Sequence, residues 1–429
     1  MSAWRASLLR EALLLHQRPR DLAMLTWVPL LAVALLCWIF AAGQPYGLPI
    51  AVWSEDGSSL SRQLVRMLQA TPGLSVRTQV LSRAEAQDLL QRMEVYGVVH
   101  IPPHFARDVQ RGGAASVTLL HNAQLATASS LVQRDLRQVV GTLSAGVQMQ
   151  AAARRGTPAQ VLQVRQEPIR TQLISLFNVA TNYEQFLAAT LLPALLHILA
   201  MTAGAWSVGR ELRDRTLGQW LGAVTTTAPG PGAAPLPAAP GPAAGSHGRR
   251  QPAGAALAGL RRPALGQVLG ALLGKLAWPL LSLWLCGMAG LVYLSQLRGW
   301  AVAGSLAWIA LGLLLLIAVS LAAGALLAGA LRSLRQALSG AGLLSAPAFA
   351  FSGVGFPLLA MSGSARTWAE AMPYTHYARL QIEQWQIGAP VQQSLPVVAG
   401  LLLATLVLLA LATVALLRAW ARPQDWGVR

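Results

Sequence analysis

The sequence predicts a mainly α membrane protein, six transmembrane helices with an extracytoplasmic α/β domain inserted between the first and the second. Three observations predict it. Of 429 residues, 54% are hydrophobic and only 11% charged, with a mean hydropathy of +0.47, too apolar for a soluble chain of this length. Uncharged runs recur that are long enough to cross the ~30 Å hydrocarbon core at about 1.5 Å rise per residue. Residues 45–180 contain no such run and instead alternate short apolar strands with polar helical segments.

The net charge of +17 would point a soluble protein toward nucleic acid. Here the basic residues, all arginine except Lys275, fall mostly between apolar runs and lack interleaved aromatics on a soluble face. Membrane orientation is the better reading, and nucleic-acid binding is excluded as a main function. Cys37 and Cys286 both lie inside apolar runs, which argues against a structural disulfide.

Residues 1–20 set Trp4, Leu8, Leu9 and Leu13–Leu15 among Arg5, Arg10, Arg18 and Arg20, the pattern of an interfacial helix on the cytoplasmic leaflet. Residues 21–44 hold the first span, Leu22–Ala42. Ala41-Ala42-Gly43 could pass for a signal cleavage site, but the run is about twice the length of a signal-peptide core and is read as a retained helix.

In the inserted domain, Leu48–Trp53 reads as a strand and Ser54-Glu-Asp-Gly57 as a turn and cap. Ser58–Ala70 reads as helix, Ser75–Leu81 as strand, and Ala84–Met93 as helix after an N-cap at Ser82. Tyr96–Ile101 is a strand ended by Pro102-Pro103, a short helix runs through Arg111, Ser116–His121 is a strand, and Gln124–Arg155 is one long polar helix.

Residues 181–221 begin with the uncharged run Phe186–Gly209 and pass without a break into Arg210-Glu-Leu-Arg-Asp-Arg-Thr-Leu-Gly-Gln-Trp-Leu221. The charged part cannot sit in lipid, so it emerges as a lever on which something outside the bilayer can push. Residues 222–262 are a low-complexity Ala/Pro/Gly/Thr linker. Residues 263–361 hold three spans, near Leu265–Leu294, Val302–Leu331 and Ala337–Met361, and residues 395–418 hold the sixth, Leu395–Leu417. The tail at 1–20, the loop at 210–262, Arg332 with Arg335, and the tail at 419–429 share one arginine-rich side, which makes both termini cytoplasmic.

Two places invite chemistry. Gly270-Ala-Leu-Leu-Gly-Lys275 looks like a phosphate loop, but its glycines are one residue too close and Leu276 stands where Ser or Thr should hold magnesium. Lys275 is read instead as snorkelling to the cytoplasmic surface. Gly340, Gly342, Pro347, Gly353, Gly355 and Pro357 crowd one apolar run, and broken helix is tolerated in a membrane only where protein or a water-filled cavity covers the backbone. With residues 362–394, too polar to span, this forms a re-entrant or interfacial hairpin suited to an external gate; close helix packing is the alternative. His100 and His104 are separated by Pro102-Pro103 and His121 stands apart, so no metal site is read there. His197 is read as a packed or dimer-facing polar residue. No nucleophile, base and orienter stand together.

Taken in order, three motifs resemble one family. They are Ala51-Val-Trp-Ser-Glu-Asp-Gly-Ser-Ser-Leu-Ser61 with Tyr96-Gly-Val-Val-His-Ile-Pro-Pro-His-Phe105; the lever from Gly209 to Leu221; and Phe351-Ser-Gly-Val-Gly-Phe-Pro357 with Met372-Pro-Tyr-Thr-His-Tyr377. Their order and spacing are similar to those of ABC-2 type permeases, the membrane subunits of bacterial ABC exporters that carry a large extracytoplasmic domain after the first helix. The chain departs from that pattern at Arg215, where a glycine usually precedes Thr-Leu, at Gly218, where a glutamate usually follows, and in the 222–262 linker.

The resemblance implies an inner-membrane exporter subunit that binds no cofactor or metal and has no catalytic site, with ATP and Mg held by cytoplasmic ABC ATPase subunits. It implies a dimer with a second copy or paralogue and room for a periplasmic adaptor; lipid-like, drug-like and polysaccharide cargo all suit so greasy a pathway, and a hydrophobic or amphipathic substrate is the reading taken. It assigns ATPase coupling to Arg210, Glu211, Arg213, Asp214, Thr216 and Leu217, and the pathway or gate to Gly353, Gly355, Pro357, Pro373 and Tyr374. Two other classes stay open. A secondary transporter should show repeat symmetry and more buried carboxylates than these spans contain. A membrane-anchored sensor or scaffold would use the external domain to bind a ligand or partner.

Overall fold

The computed structural model describes residues 2–43, 45–111, 115–122, 125–154, 182, 184–225 and 262–426. Most of the linker expected at 222–262, and the end of the inserted segment, lie outside these residues. The chain divides into two compact units, one of residues 1–41 with 176–429 and one of residues 42–175.

The smaller unit is built on a four-stranded sheet in the order β2-β1-β3-β4, with β1 Leu48–Ser54, β2 Leu74–Val80, β3 Gly97–Ile101 and β4 Thr118–His121. β1 runs parallel to β2 and β3, and β4 closes the edge antiparallel to β3. Parallel neighbours need crossovers, supplied by Ser59–Gln69 and Arg83–Gln91. Each starts at a serine cap, Ser58 Oγ accepting from Ser61 N at 3.1 Å and Ser82 Oγ from Glu85 N at 3.2 Å. Because β1 and β3 are inner strands with both faces covered, Ile50, Ala51, Val52, Val98 and Val99 are fully buried in near-continuous runs. The long helix Ala126–Arg154 buries Leu131, Val132, Leu136, Val139 and Leu143 at helical spacing.

The larger unit is a helical bundle. We label its helices α1 Ala3–Gln17, α2 Pro19–Leu25, α3 Trp27–Phe40, α4 Ala189–Arg213, α5 Leu217–Thr225, α6 Leu265–Val292, α7 Leu306–Leu331, α8 Leu334–Ser345, α9 Ala348–Phe351, α10 Gly363–Ala371, α11 Pro373–Ile382 and α12 Val391–Trp420. Among the described residues, five helical stretches are long and apolar enough to cross a membrane: Pro19–Phe40, Glu184–Arg213, Leu265–Leu297, Leu306–Leu331 and Val391–Trp420. The run expected at 337–361 is not a sixth continuous helix. It divides into α8 and α9 at Ala346-Pro347 and dissolves into bends at 352–356, because Pro347 withholds an N–H and Gly353 turns the chain at φ +85.

Helix packing here rests on small residues. A Cβ on Gly204 would strike the carbonyl of Leu321, and one on Gly324 would strike that of Met201, so α4 and α7 meet backbone to backbone. Between them His197 Nδ1 lies 2.7 Å from Ser320 Oγ, a packed polar pair. The free cysteines Cys37 and Cys286 are buried.

Hydrogen bonds tie the helix ends into two groups. At one end Arg298 holds Glu184 through Nε at 2.7 Å and Nη2 at 2.9 Å, Arg298 also donates to the carbonyl of Ala41, and Trp300 Nε1 donates to Glu184 at 2.9 Å. Ser305 N donates to Gln384 Oε1 at 3.1 Å, and Tyr374 and Gln381 donate to the carbonyls of Thr190 and Ala189, so α11 belongs to this end. At the other end Arg332 pairs with Asp425. Residues 333–372 therefore carry the chain from the Arg332 end back to the Glu184 end in pieces.

Candidate functional site

The lever segment folds as a helix, a tight turn and a second helix. α4 ends at Arg213 with Asp214 as its C-cap, and the turn closes when Arg215 N donates to Leu212 O at 3.2 Å and Thr216 N to Glu211 O at 2.8 Å. That pair of bonds is the Schellman motif, which needs a left-handed residue after the C-cap. Arg215 supplies it at φ +59. Thr216 Oγ1 adds a hydrogen bond to the Glu211 carboxylate before α5 begins at Leu217.

The turn splits the expected coupling residues into two sets. Arg213 and Asp214 stand partly in solvent and pair with each other at 2.7 Å, with the Arg213 guanidinium 5.2 Å from the Trp206 ring. Arg210, Glu211 and Leu217 face inward and are buried, and Thr216 is half-buried. The sequence alone reads Arg210 to Leu221 as one exposed lever; burial of Leu212, Leu217, Trp220 and Leu221 folds α5 back against the bundle instead.

Around Glu211 lies the feature sequence reasoning missed. Lys275, expected to snorkel to the surface, is fully buried and donates to Glu211 Oε1 at 2.8 Å and to Glu11 Oε2 at 2.8 Å. Arg10 binds the same Glu211 carboxylate through Nη1 at 2.8 Å and Nη2 at 3.1 Å. Arg210 pairs with Glu11 and, through Nη1 at 3.1 Å, with Asp21. Three cations and three carboxylates thus neutralise one another where an unpaired charge would carry a large desolvation cost. Trp220 roofs the cluster, its ring 4.6 Å from Lys275 Nζ and its Nε1 donating to Ser7 Oγ at 2.9 Å.

Helix α1 is accordingly docked on α6. Its apolar residues Trp4, Leu9 and Leu13 are exposed while Ser7, Glu11 and Leu15, at i, i+4 and i+8, are buried. Apolar side chains of α1 thus face outward and the polar Ser7 and Glu11 inward. The glycines resembling a phosphate loop have another purpose. A Cβ on Gly270 would meet Ala3 Cβ at 3.3 Å, and one on Gly274 would meet Leu8 N and Ser7 Cβ at 3.0 Å, so both give α1 a seat. The signal for this lay in the sequence as a lone lysine beside two glycines four apart.

A cavity of about 450 Å³ opens beside the cluster, charged at Glu11, Asp21 and Arg210 and apolar at Met24, Leu199 and Leu283.

The pathway residues do not gather at one point. Gly355 and Pro357 are exposed in the bend after α9, and Gly353 makes its turn. Pro373 starts α11 and borders a second cavity of about 440 Å³ with Arg379 and Pro396. Tyr374 is fully buried, its hydroxyl donating to Thr190 O at 2.7 Å and its ring 6.4 Å from Phe349. In the smaller unit His100 stacks on Trp53 at 4.0 Å, and His121 lies 2.9 Å from Gln133. Among the described residues no group of three or more His, Cys, Asp or Glu is arranged to hold a metal ion.

Compared with known families, residues 19–227 match the model described as ABC-2 family transporter protein, a little under half of the chain. No curated protein and no solved structure matches the chain. The matched region takes in the first two apolar helical stretches, the segment between them and the Schellman turn with α5. Over residues 19–227 the chain is thus similar to the ABC-2 family of transporter membrane proteins.

Proposed function

We propose that this chain is the permease subunit of an ABC exporter in a bacterial inner membrane, driven by ATP hydrolysis on separate cytoplasmic ATPase subunits. The observation that carries the reading is the turn Arg213-Asp214-Arg215. It exposes charge at the tip of an apolar helix, while the adjoining Glu211 is locked into the bundle by Lys275 and Arg10. A push on such a tip reaches the membrane helices without loss in a soft joint.

Six crossings support the sidedness. α8 and α9 with Pro347 between them cover residues 334–351, roughly 27 Å at about 1.5 Å per residue. They make the sixth crossing and bring both termini to the arginine-rich cytoplasmic side. Residues 45–180 then lie outside, with the hairpin of α10 and α11 on the outer face, where Gly353, Gly355, Pro357, Pro373 and Tyr374 form the gate region. The exposed apolar faces of α3 (Leu31, Leu35, Trp38) and α12 (Leu402, Leu403, Leu406) meet lipid and a second permease copy or paralogue. The cavity that is charged at Glu11 and Arg210 and greasy at Met24 and Leu283 favours an amphipathic substrate, which the outer domain would pass to a periplasmic adaptor.

Purification of the tagged permease from its own membranes tests this. An ABC ATPase should copurify, and its hydrolysis rate should change when the permease is added back in lipid. A permease that purifies alone, and leaves ATPase rates unchanged, would instead favour an ATPase-independent transporter or an anchored scaffold.

A further inference from the structure

We infer that α1 and Lys275 belong to the force-transmitting machinery, and that Lys275 is the positioning residue joining the coupling turn to both α1 and α6. The inference rests on the ATPase-coupled reading above and identifies the joint through which that coupling runs. Glu211 sits two residues before Arg213 and accepts the Thr216 hydroxyl, so it moves with the turn. Its two oxygens are occupied by Arg10 of α1 and Lys275 of α6 as well. Lys275 binds Glu11 of α1 in turn, and Trp220 of α5 bonds Ser7 of α1. Trp278 Nε1 donates to Leu8 O at 3.2 Å, and the Gly270 and Gly274 seat leaves no slack between the helices. A displacement of the turn therefore drags α1 and the start of α6 as one body. A helix that only rested on the membrane surface would not need to bury Ser7 and Glu11 for this purpose.

The test uses the full permease with its copurifying ATPase in lipid nanodiscs. Glu11→Gln with Lys275→Met removes one charge of each sign, leaving Glu211 with Arg10 and Arg210 with Asp21. The control, Glu184→Gln with Arg298→Met, removes an equivalent pair at the opposite end of the bundle. Both should assemble with the ATPase. The first should lose the permease-dependent change in ATPase rate by roughly tenfold, about 1.4 kcal/mol, and the control should keep it. Equal stimulation in both would overturn the inference, and failure of the wild-type chain to bind any ATPase would overturn the reading beneath it. A second measurement leaves the charge cluster unchanged. Spin labels at Leu9→Cys and Gln219→Cys on α5, with Cys37 and Cys286 changed to Ala, should keep one separation in nucleotide-free and ATP-trapped complexes. A separation that changes on trapping ATP would show that α1 does not travel with the turn.

Discussion

Lys275 Nζ and Glu211 Oε1 are 2.8 Å apart in a space closed to solvent, which joins the first third of the chain's third apolar helical stretch to the end of its second. Removing either partner alone strands the other. Lys275→Met should therefore cost about 3–5 kcal/mol, while Glu11→Gln with Lys275→Met should cost clearly less than the two single changes summed. Thermal unfolding in detergent, run as a double-mutant cycle, reads the difference. Additive losses would mean that Glu11 and Lys275 do not interact.

Arg215 occupies a left-handed position at φ +59, where glycine carries no Cβ penalty. Arg215→Gly should leave the fold unchanged and stabilise it by up to about 1 kcal/mol, while Arg215→Val should destabilise it. Melting temperatures of the two variants, compared with wild type, decide this.

The contact of α4 with α7 has no room for side chains at Gly204 and Gly324. Gly324→Val should force the helices apart, cost about 1–3 kcal/mol and lower the yield of monodisperse protein. Gly342, with no atom within 4 Å of a would-be Cβ, should accept alanine without loss. Equal tolerance at both sites would contradict the packing.

Sidedness gives a prediction that does not depend on stability. In intact cells stripped of the outer membrane, a membrane-impermeant maleimide should label Leu81→Cys, an exposed position of the smaller unit, but not Arg213→Cys. Permeabilisation should make Arg213→Cys reactive. Labelling of both before permeabilisation would break the six-crossing topology.

Periodicity and caps made much of the secondary structure legible. The strand read at Leu48–Trp53 runs Leu48–Ser54, and Ser82 caps the next crossover helix, because burial and capping are local signals. The apolar runs gave long helices even where Pro193, Pro279 and Pro396 lie inside them. Pro347 and Gly353 were visible as breakers, yet residues 337–361 were still read as one span, since hydropathy counts apolar residues without testing continuity. The lever was legible as a charged helix end. Its turn was not, because an arginine at a glycine position hides the Schellman geometry. The cluster around Glu211 was the least legible part. Arg10, Glu11, Glu211 and Lys275 come from three separate segments, and only packing α1 on α6 brings them together.

The most direct measurement of the coupling claim is photo-cross-linking from a benzoyl-phenylalanine placed at Arg213, in native membranes that contain the whole transporter. The account predicts a covalent adduct with an ABC ATPase subunit, and none from the same probe at Leu297 near the opposite end of the bundle. An adduct-free Arg213 in a complex that is assembled and hydrolysing ATP would contradict it.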